Sequence, residues 1–309
     1  MANRIAFVFP GQGSQFVGMG RKAVETSAVA RATFDEADRL LGQSISRLCF
    51  EGPIETLTDT INAQPAILTV SIAYWRMLQE AEPVRPTYLA GHSMGEYTAL
   101  VAAGALSFAD GLRLVRERGR LMKEAGKLHP GQMAAVIGLD TLALEQVCRE
   151  ASGTGELEGV QIANYNAPGQ IVISGAEEAV QRAMALAKER GAKRVIPLAV
   201  SIASHSPLMR SAVEGLRHAV ASAAIRPAIV PVIANVTARP ISSVEEIRQE
   251  LVAQLTSSVR WIDSVQYMVG QGVSEFVEMG PKDVLTGLQK RIAPDSQITN
   301  WESQHGLAG

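Results

Sequence analysis

The pentapeptide Gly91-His92-Ser93-Met94-Gly95 constrains this chain most tightly, because it joins a short apolar strand to an apolar helix. Pro86 to Ala90 reads as the strand, and Glu96 to Ala103 as the first turns of the helix. Gly-x-Ser-x-Gly at such a junction is a nucleophile elbow. The turn is too crowded for side chains at either end, and it lifts the serine hydroxyl clear of the sheet at the positive end of a helix. Ser93 is therefore the candidate nucleophile. The bland alternative is a tight turn with an idle serine.

The surrounding pattern suits that unit. Ile5 to Phe9 is a continuous apolar run ended by Pro10-Gly11, as in a strand buried on both faces. Helical periodicity covers 21–41, 63–80 and 108–125, and strands alternating with helices predict a mostly parallel sheet covered on both sides. The order then changes. Strand 133–139, helix 141–151, strands 160–166 and 170–175, helix 177–190 and strand 193–200 give β-α-β-β-α-β, the signature of a small ferredoxin-like unit. Helix 207–223, strand 229–235, helices near 243–255 and 262–270, strand 274–278 and helix 282–291 resume the first pattern. The expectation is a catalytic domain of 1–128 and 202–309 with a subdomain, 129–201, inserted into it. A cleft between the two is the default binding site.

With 309 residues and 47% hydrophobic content, the chain can bury a large core. A net charge of −2 argues against a nucleic-acid or anionic-membrane binder. Two cysteines, Cys49 and Cys148, cannot form a disulfide framework and suit a reducing compartment. The apolar run at Ile5 to Phe9 is too short for a signal-peptide core, and no run approaches a membrane span. A cytoplasmic protein without membrane association is expected.

A serine nucleophile needs a base, and there are five histidines. His92 adjoins the serine, where neighbouring side chains diverge. His129 sits at a lobe boundary, His218 within a surface helix, and His305 in a polar tail expected to be disordered. His205 lies in the loop Ala203-Ser204-His205-Ser206-Pro207, where the chain returns to the main domain at the rim of the cleft, and is the candidate base. Its alternative role, capping the next helix, could be filled by Ser206 alone. No His-x-His, His-Glu-x-x-His or cysteine pair is present, so no metal site is expected.

Phe9-Pro10-Gly11-Gln12-Gly13-Ser14-Gln15 fails as a dinucleotide fingerprint, since Phe16 replaces the third glycine, and no phosphate loop follows. Such a turn can instead aim N–H groups into a cleft. Elbow enzymes hold the oxyanion with the N–H after the nucleophile, here Met94, and one from another loop, for which Gln12 is the candidate. On the helix around 112–124, Arg113, Arg116 and Arg120 share a face with Glu117, whereas Arg118 falls among Leu114, Leu121 and Met122. An arginine on an apolar face is seldom unpaired. Either an internal acid neutralises Arg118, or it awaits a carboxylate on the ligand.

Taken together, these segments resemble the malonyl-CoA:acyl carrier protein transacylases and the related acyltransferase domains of fatty acid and polyketide synthases. The resemblance rests on Phe9 to Gln15, Gly91 to Tyr97, Arg118 to Met122, Asn164-Tyr-Asn-Ala-Pro-Gly-Gln170, Ser204-His205, Gln254-Leu255 with Trp261, and Glu278-Met-Gly-Pro281, in that order over nearly the whole chain. It implies a hydrolase-like α/β core with an inserted ferredoxin-like lobe. It also implies Ser93 as the acylated nucleophile, His205 as its base, Gln12 and Met94 as oxyanion-hole amides, and Arg118 as partner of the malonyl carboxylate. Gln254 matches a position associated with orienting the histidine, and Asn166 lies in a motif near the site. By resemblance the partners are a coenzyme A thioester and an acyl carrier protein, the chain is a monomer, and no metal or redox cofactor is used.

Ser204 is a departure. In polyketide acyltransferases, phenylalanine before the histidine goes with malonyl selection and serine with methylmalonyl. Free-standing malonyl transacylases with serine there also occur, so Ser204 leaves the extender unit open, and a trans-acting polyketide acyltransferase with malonyl or methylmalonyl specificity is the main alternative. A serine esterase or thioesterase would place its acid between Ser93 and His205, but Asp140 and Glu145 fall in the inserted lobe. A carrier-docking module with a degenerate site is disfavoured by the intact Ser93, His205 and Arg118.

Overall fold

The computed structural model describes residues 4–198, 200 and 202–307. It opens with β1 (Arg4–Phe9) and five helices, α1 (Arg21–Thr26), α2 (Ala28–Leu41), α3 (Ile45–Glu51), α4 (Ile54–Thr58) and α5 (Thr60–Ala81). Next come β2 (Tyr88–Gly91), α6 (Gly95–Ala102) and α7 (Phe108–Leu128). The middle of the chain runs β3 (Gly131–Ile137), α8 (Thr141–Ala151), β4 (Val160–Ala167), β5 (Gln170–Ala176), α9 (Glu177–Glu189) and β6 (Arg194–Pro197). After a short 3-10 turn come α10 (Arg210–Ser222), β7 (Val232–Ile233), β8 (Pro240–Ile241), α11 (Val244–Ala253), α12 (Trp261–Gly270), β9 (Val273–Glu278), α13 (Val284–Ile292), β10 (Gln297–Asn300) and α14 (Trp301–Gln304).

Two sheets result. The larger has the order β10-β9-β1-β2-β7-β8, parallel throughout except for the antiparallel edge strand β8. Its central strand explains the apolar run read from the sequence. Phe7 and Phe9 face the helical layer that includes α5 and α7, while the smaller Ala6 and Val8 face α12 and α13. Alternate side chains of a strand point to opposite faces, so a strand covered twice must be apolar at every position. The second sheet has the order β4-β5-β3-β6 with every neighbour antiparallel, and α8 and α9 cover one face. The two sheets are stitched together where β4 meets the segment before α12. Val259 N–H donates to Ala163 O at 2.8 Å, and Tyr165 N–H donates to Val259 O at 2.9 Å.

Several elements differ from the sequence reading for local reasons. The helix predicted over 21–41 breaks at Ser27, whose extended backbone and side chain cap Ala30 N–H at 3.2 Å. Serine competes for backbone groups in this way. The strand predicted over 229–235 shrinks to two residues, because Pro231 has no N–H to give a ladder. Of the strand predicted over 193–200, only Arg194–Pro197 forms a ladder, and Ala199 and Ser201 of that crossing lie outside the described residues. The tail expected to be disordered is instead ordered through β10 and α14, with His305 stacked on Trp301 at 3.6 Å between centroids. Among the described residues, no helix is long and apolar enough to cross a membrane.

Candidate active site

The site lies at the carboxyl ends of the parallel strands, where doubly covered sheets bind ligands. β2 runs into the elbow, which puts Ser93 at φ 52°. A Cβ on Gly91 would stand 1.9 Å from the Gly95 carbonyl carbon, and one on Gly95 would stand 2.2 Å from Phe9 O. Glycine at both positions is what lets the turn close against β1. Asn235, just after β7, braces the turn. Its Oδ1 accepts Ser93 N–H at 2.7 Å and its Nδ2 donates to Gly91 O at 2.7 Å.

His205 reaches the serine from the returning loop, with Nε2 2.8 Å from Ser93 Oγ. Its Nδ1 lies 2.9 Å from Gln254 O and 3.1 Å from Ser257 O. Carbonyls only accept, so Nδ1 carries the proton and Nε2 presents a lone pair to the hydroxyl. Two backbone carbonyls thus occupy the place a triad acid would take. Glu278, an acid at the end of β9, instead accepts Leu285 and Thr286 N–H at 2.9 and 2.8 Å. Gln161 on β4 donates to His205 O at 2.7 Å, so the smaller sheet also holds the base in place. Burial, and after it the Arg118 charge, lowers His205 to about 3. Acyl-enzyme formation is therefore expected to show no inflection at about 6.5, where an ordinary imidazole titrates. A kcat/KM profile that bends there would assign a different base.

Arg118 is 2% exposed and sits directly beside the nucleophile. Gly119 is the local cause. A Cβ there would stand 2.7 Å from Thr60 O, so its absence lets α7 approach the start of α5. The guanidinium donates to Gln64 Oε1 at 2.9 Å, to Gln254 Oε1 at 3.0 Å and to Ser93 Oγ at 3.1 Å. Among the described residues, its buried Nε has no hydrogen-bond partner. Among the described residues no acid bonds it directly, and the neutral amides of Gln64 and Gln254 hold the cation.

Gln254 meets the site through both its backbone and its side chain. Its backbone carbonyl orients His205, while its side chain donates to Ser93 O at 3.1 Å and to Glu96 and accepts from Arg118. Met94 is buried as the residue preceding α6, and Gln12 is exposed on the loop after β1. The Gln12 side chain accepts from Thr60 Oγ1 at 2.8 Å, and Thr60 in turn accepts from Gln64 at 2.9 Å, which ties this loop to Arg118. Asn166 Oδ1 lies 2.8 Å from His92 Nε2, so Asn166 lies one residue behind the serine. Ser204 is half-buried, its N–H donating to Ile202 O at 3.0 Å. The sequence reading did not single out Gln64, Glu96, Asn235, Glu250 or Ser257. Gln64 and Glu96 leave a legible trace, polar residues inside apolar helical runs, whereas Asn235 and Ser257 act from loops without pattern.

An α/β sheet with a serine–histidine pair at an elbow, among the described residues no acid on the histidine, and a buried arginine beside the serine defines an acyl-group transfer site with a cation next to its nucleophile. Comparison with known proteins agrees. Residues 6–299 match the acyl transferase domain family, and the chain belongs to it. It is 49% identical to the malonyl CoA-acyl carrier protein transacylase of Bacillus subtilis (strain 168), over 94% of this chain and 90% of that one. It is similar in structure to the malonyl CoA-acyl carrier protein transacylase of Coxiella burnetii, with TM-score 0.94, 41% identity, and 97% and 94% of the two chains covered. A chain of a complex between a type II polyketide-synthase acyl-carrier protein and its malonyl-transacylase is similar at TM-score 0.92 and 42% identity, with 96% and 95% covered.

Proposed function

We propose that this chain moves a malonyl group from malonyl-CoA to the phosphopantetheine thiol of an acyl carrier protein through an acyl-serine at Ser93. The observation that carries the reading is the buried Arg118 guanidinium 3.1 Å from Ser93 Oγ. A desolvated cation at that distance favours an acyl group with its own carboxylate, which a planar fork can hold with two bonds.

The cycle has two matched halves. The malonyl carboxylate draws Arg118 off the hydroxyl, His205 Nε2 takes the Ser93 proton, and Oγ attacks the thioester carbon. The oxyanion is held by Met94 and Gln12 N–H. Collapse breaks the carbon–sulfur bond, and the proton passes from His205 to the departing coenzyme A. The carrier thiol then gives its proton to His205, attacks the acyl-serine and restores the Ser93 hydroxyl. No metal or redox cofactor enters this scheme.

In this reading 1–128 and 202–309 form the catalytic domain and 129–201 an inserted lobe. The chain works as a cytoplasmic monomer, in keeping with two buried free thiols. A second reading, a polyketide acyltransferase that accepts methylmalonyl, is favoured by the small Ser204 beside the base. Intact mass after brief exposure to malonyl-, methylmalonyl- and acetyl-CoA tests both. A malonyl adduct that disappears on adding holo-carrier protein is expected. Equal methylmalonyl loading would favour the second reading, and no adduct from any thioester would overturn both.

A further inference from the structure

Glu96 lies in the first turn of α6, three residues after the nucleophile, and is wholly buried. A glutamate at a helix start ordinarily faces water; a buried one needs donors. Oε1 of Glu96 accepts Asn235 N–H at 3.3 Å, and Oε2 accepts from the Gln254 amide. Glu250, itself buried, hydrogen-bonds Glu96 and accepts Val236 N–H at 2.9 Å. Burial raises the proton affinity of both carboxyl groups well above the ordinary range. The two carboxyl groups titrate as a coupled pair, and each Glu96 oxygen accepts a hydrogen bond, an arrangement that a protonated or an ionised carboxyl can keep.

The Gln254 amide is therefore read from both sides. Its Nε2 is committed to Glu96 and Ser93 O, which leaves Oε1 facing the Arg118 guanidinium. Turned over, the amide would set its oxygen against the Ser93 carbonyl and its NH2 against a cation. A direct bond from Glu96 to Arg118 would instead fill the fork and leave nothing for a ligand. A neutral amide fixed from behind by Glu96 holds the buried cation while keeping it available.

We propose that Glu96 is a positioning residue for Arg118: acting through the Gln254 side chain, it holds the guanidinium where it can receive a carboxylate-bearing acyl group, and so sets acyl selectivity. This rests on the carboxylate-binding role read for Arg118 above. The measurement is the ratio of kcat/KM for malonyl-CoA to that for acetyl-CoA, with a melting curve for each variant. Glu96→Ala is expected to lower the ratio roughly tenfold or more, the cost of leaving the buried Gln254 amide without one of its two acceptors. Glu96→Gln, which keeps the shape and one acceptor oxygen, is expected to lower it by a smaller factor, and it serves if the alanine variant does not fold. On an Arg118→Ala background, substituting Glu96 should not move the ratio further, because coupled residues are non-additive.

The outcomes separate cleanly. If folded Glu96 variants keep the wild-type ratio while Arg118→Ala lowers it, the proposal fails and the Arg118 reading stands. If Arg118→Ala itself leaves the ratio unchanged, the carboxylate reading has failed first. A loss of malonyl and acetyl activity in equal proportion means a purely structural Glu96 and also overturns the proposal.

Discussion

Ser93→Ala is expected to abolish the acyl-enzyme and to lower transfer by about 10⁴-fold or more, since serine and histidine act as one unit and neither retains its effect alone. The variant should still fold. Alanine meets the same left-handed backbone as serine at φ 52°, so no new strain arises. Arg118 loses one acceptor but keeps Gln64 and Gln254, so the buried cation is not stranded. Asn235 bonds the backbone at 91 and 93, and the substitution leaves both bonds in place. Intact mass after exposure to malonyl-CoA should show unmodified protein, with a melting temperature close to wild type. An adduct that persists would move the nucleophile elsewhere.

Arg118→Ala is expected to lower kcat/KM for malonyl-CoA by about 10²- to 10³-fold, the cost of leaving a buried charge on the ligand without its partner. Acetyl-CoA has no such charge and should load as well as before or better. The protein also loses stability, about 1–3 kcal/mol for each buried amide oxygen left without a donor, here on Gln64 and Gln254. Arg118→Lys keeps the charge without the fork and should fall between the two. Steady-state kinetics with both thioesters and a thermal melt decide this. A variant equally impaired on malonyl and acetyl would mean that Arg118 serves the fold or the nucleophile and not the carboxylate.

Much of the site was legible before any coordinates, because its chemistry is written in short segments. Gly91 to Gly95 can make one kind of turn, and Ser93 is its only hydroxyl. Arg118 stood out because three neighbouring arginines kept to the other face of the same helix. The alternating strands and helices gave the parallel sheet, and the change of order after residue 128 gave the second, antiparallel one. Where the reading slipped, a single residue outweighed the periodicity. Ser27 capped a helix start within a continuous pattern, and Pro231 removed a ladder donor from an apolar run.

What the sequence by itself determined, then, was the elbow, its serine, the apolar strand behind it and an arginine too buried to be idle. These depend on neighbours within a turn or two, whose geometry is fixed by backbone sterics. Only the tertiary structure decided what surrounds them. It replaced the triad acid with the carbonyls of Gln254 and Ser257, turned the Gln254 side chain away from the histidine and towards Arg118, and set Glu96 and Glu250 in contact beneath the serine. Those partners lie tens to more than a hundred residues apart along the chain, and most are backbone groups or buried amides. Every residue carries such groups, so nothing in the order of side chains marks which of them the fold will bring together.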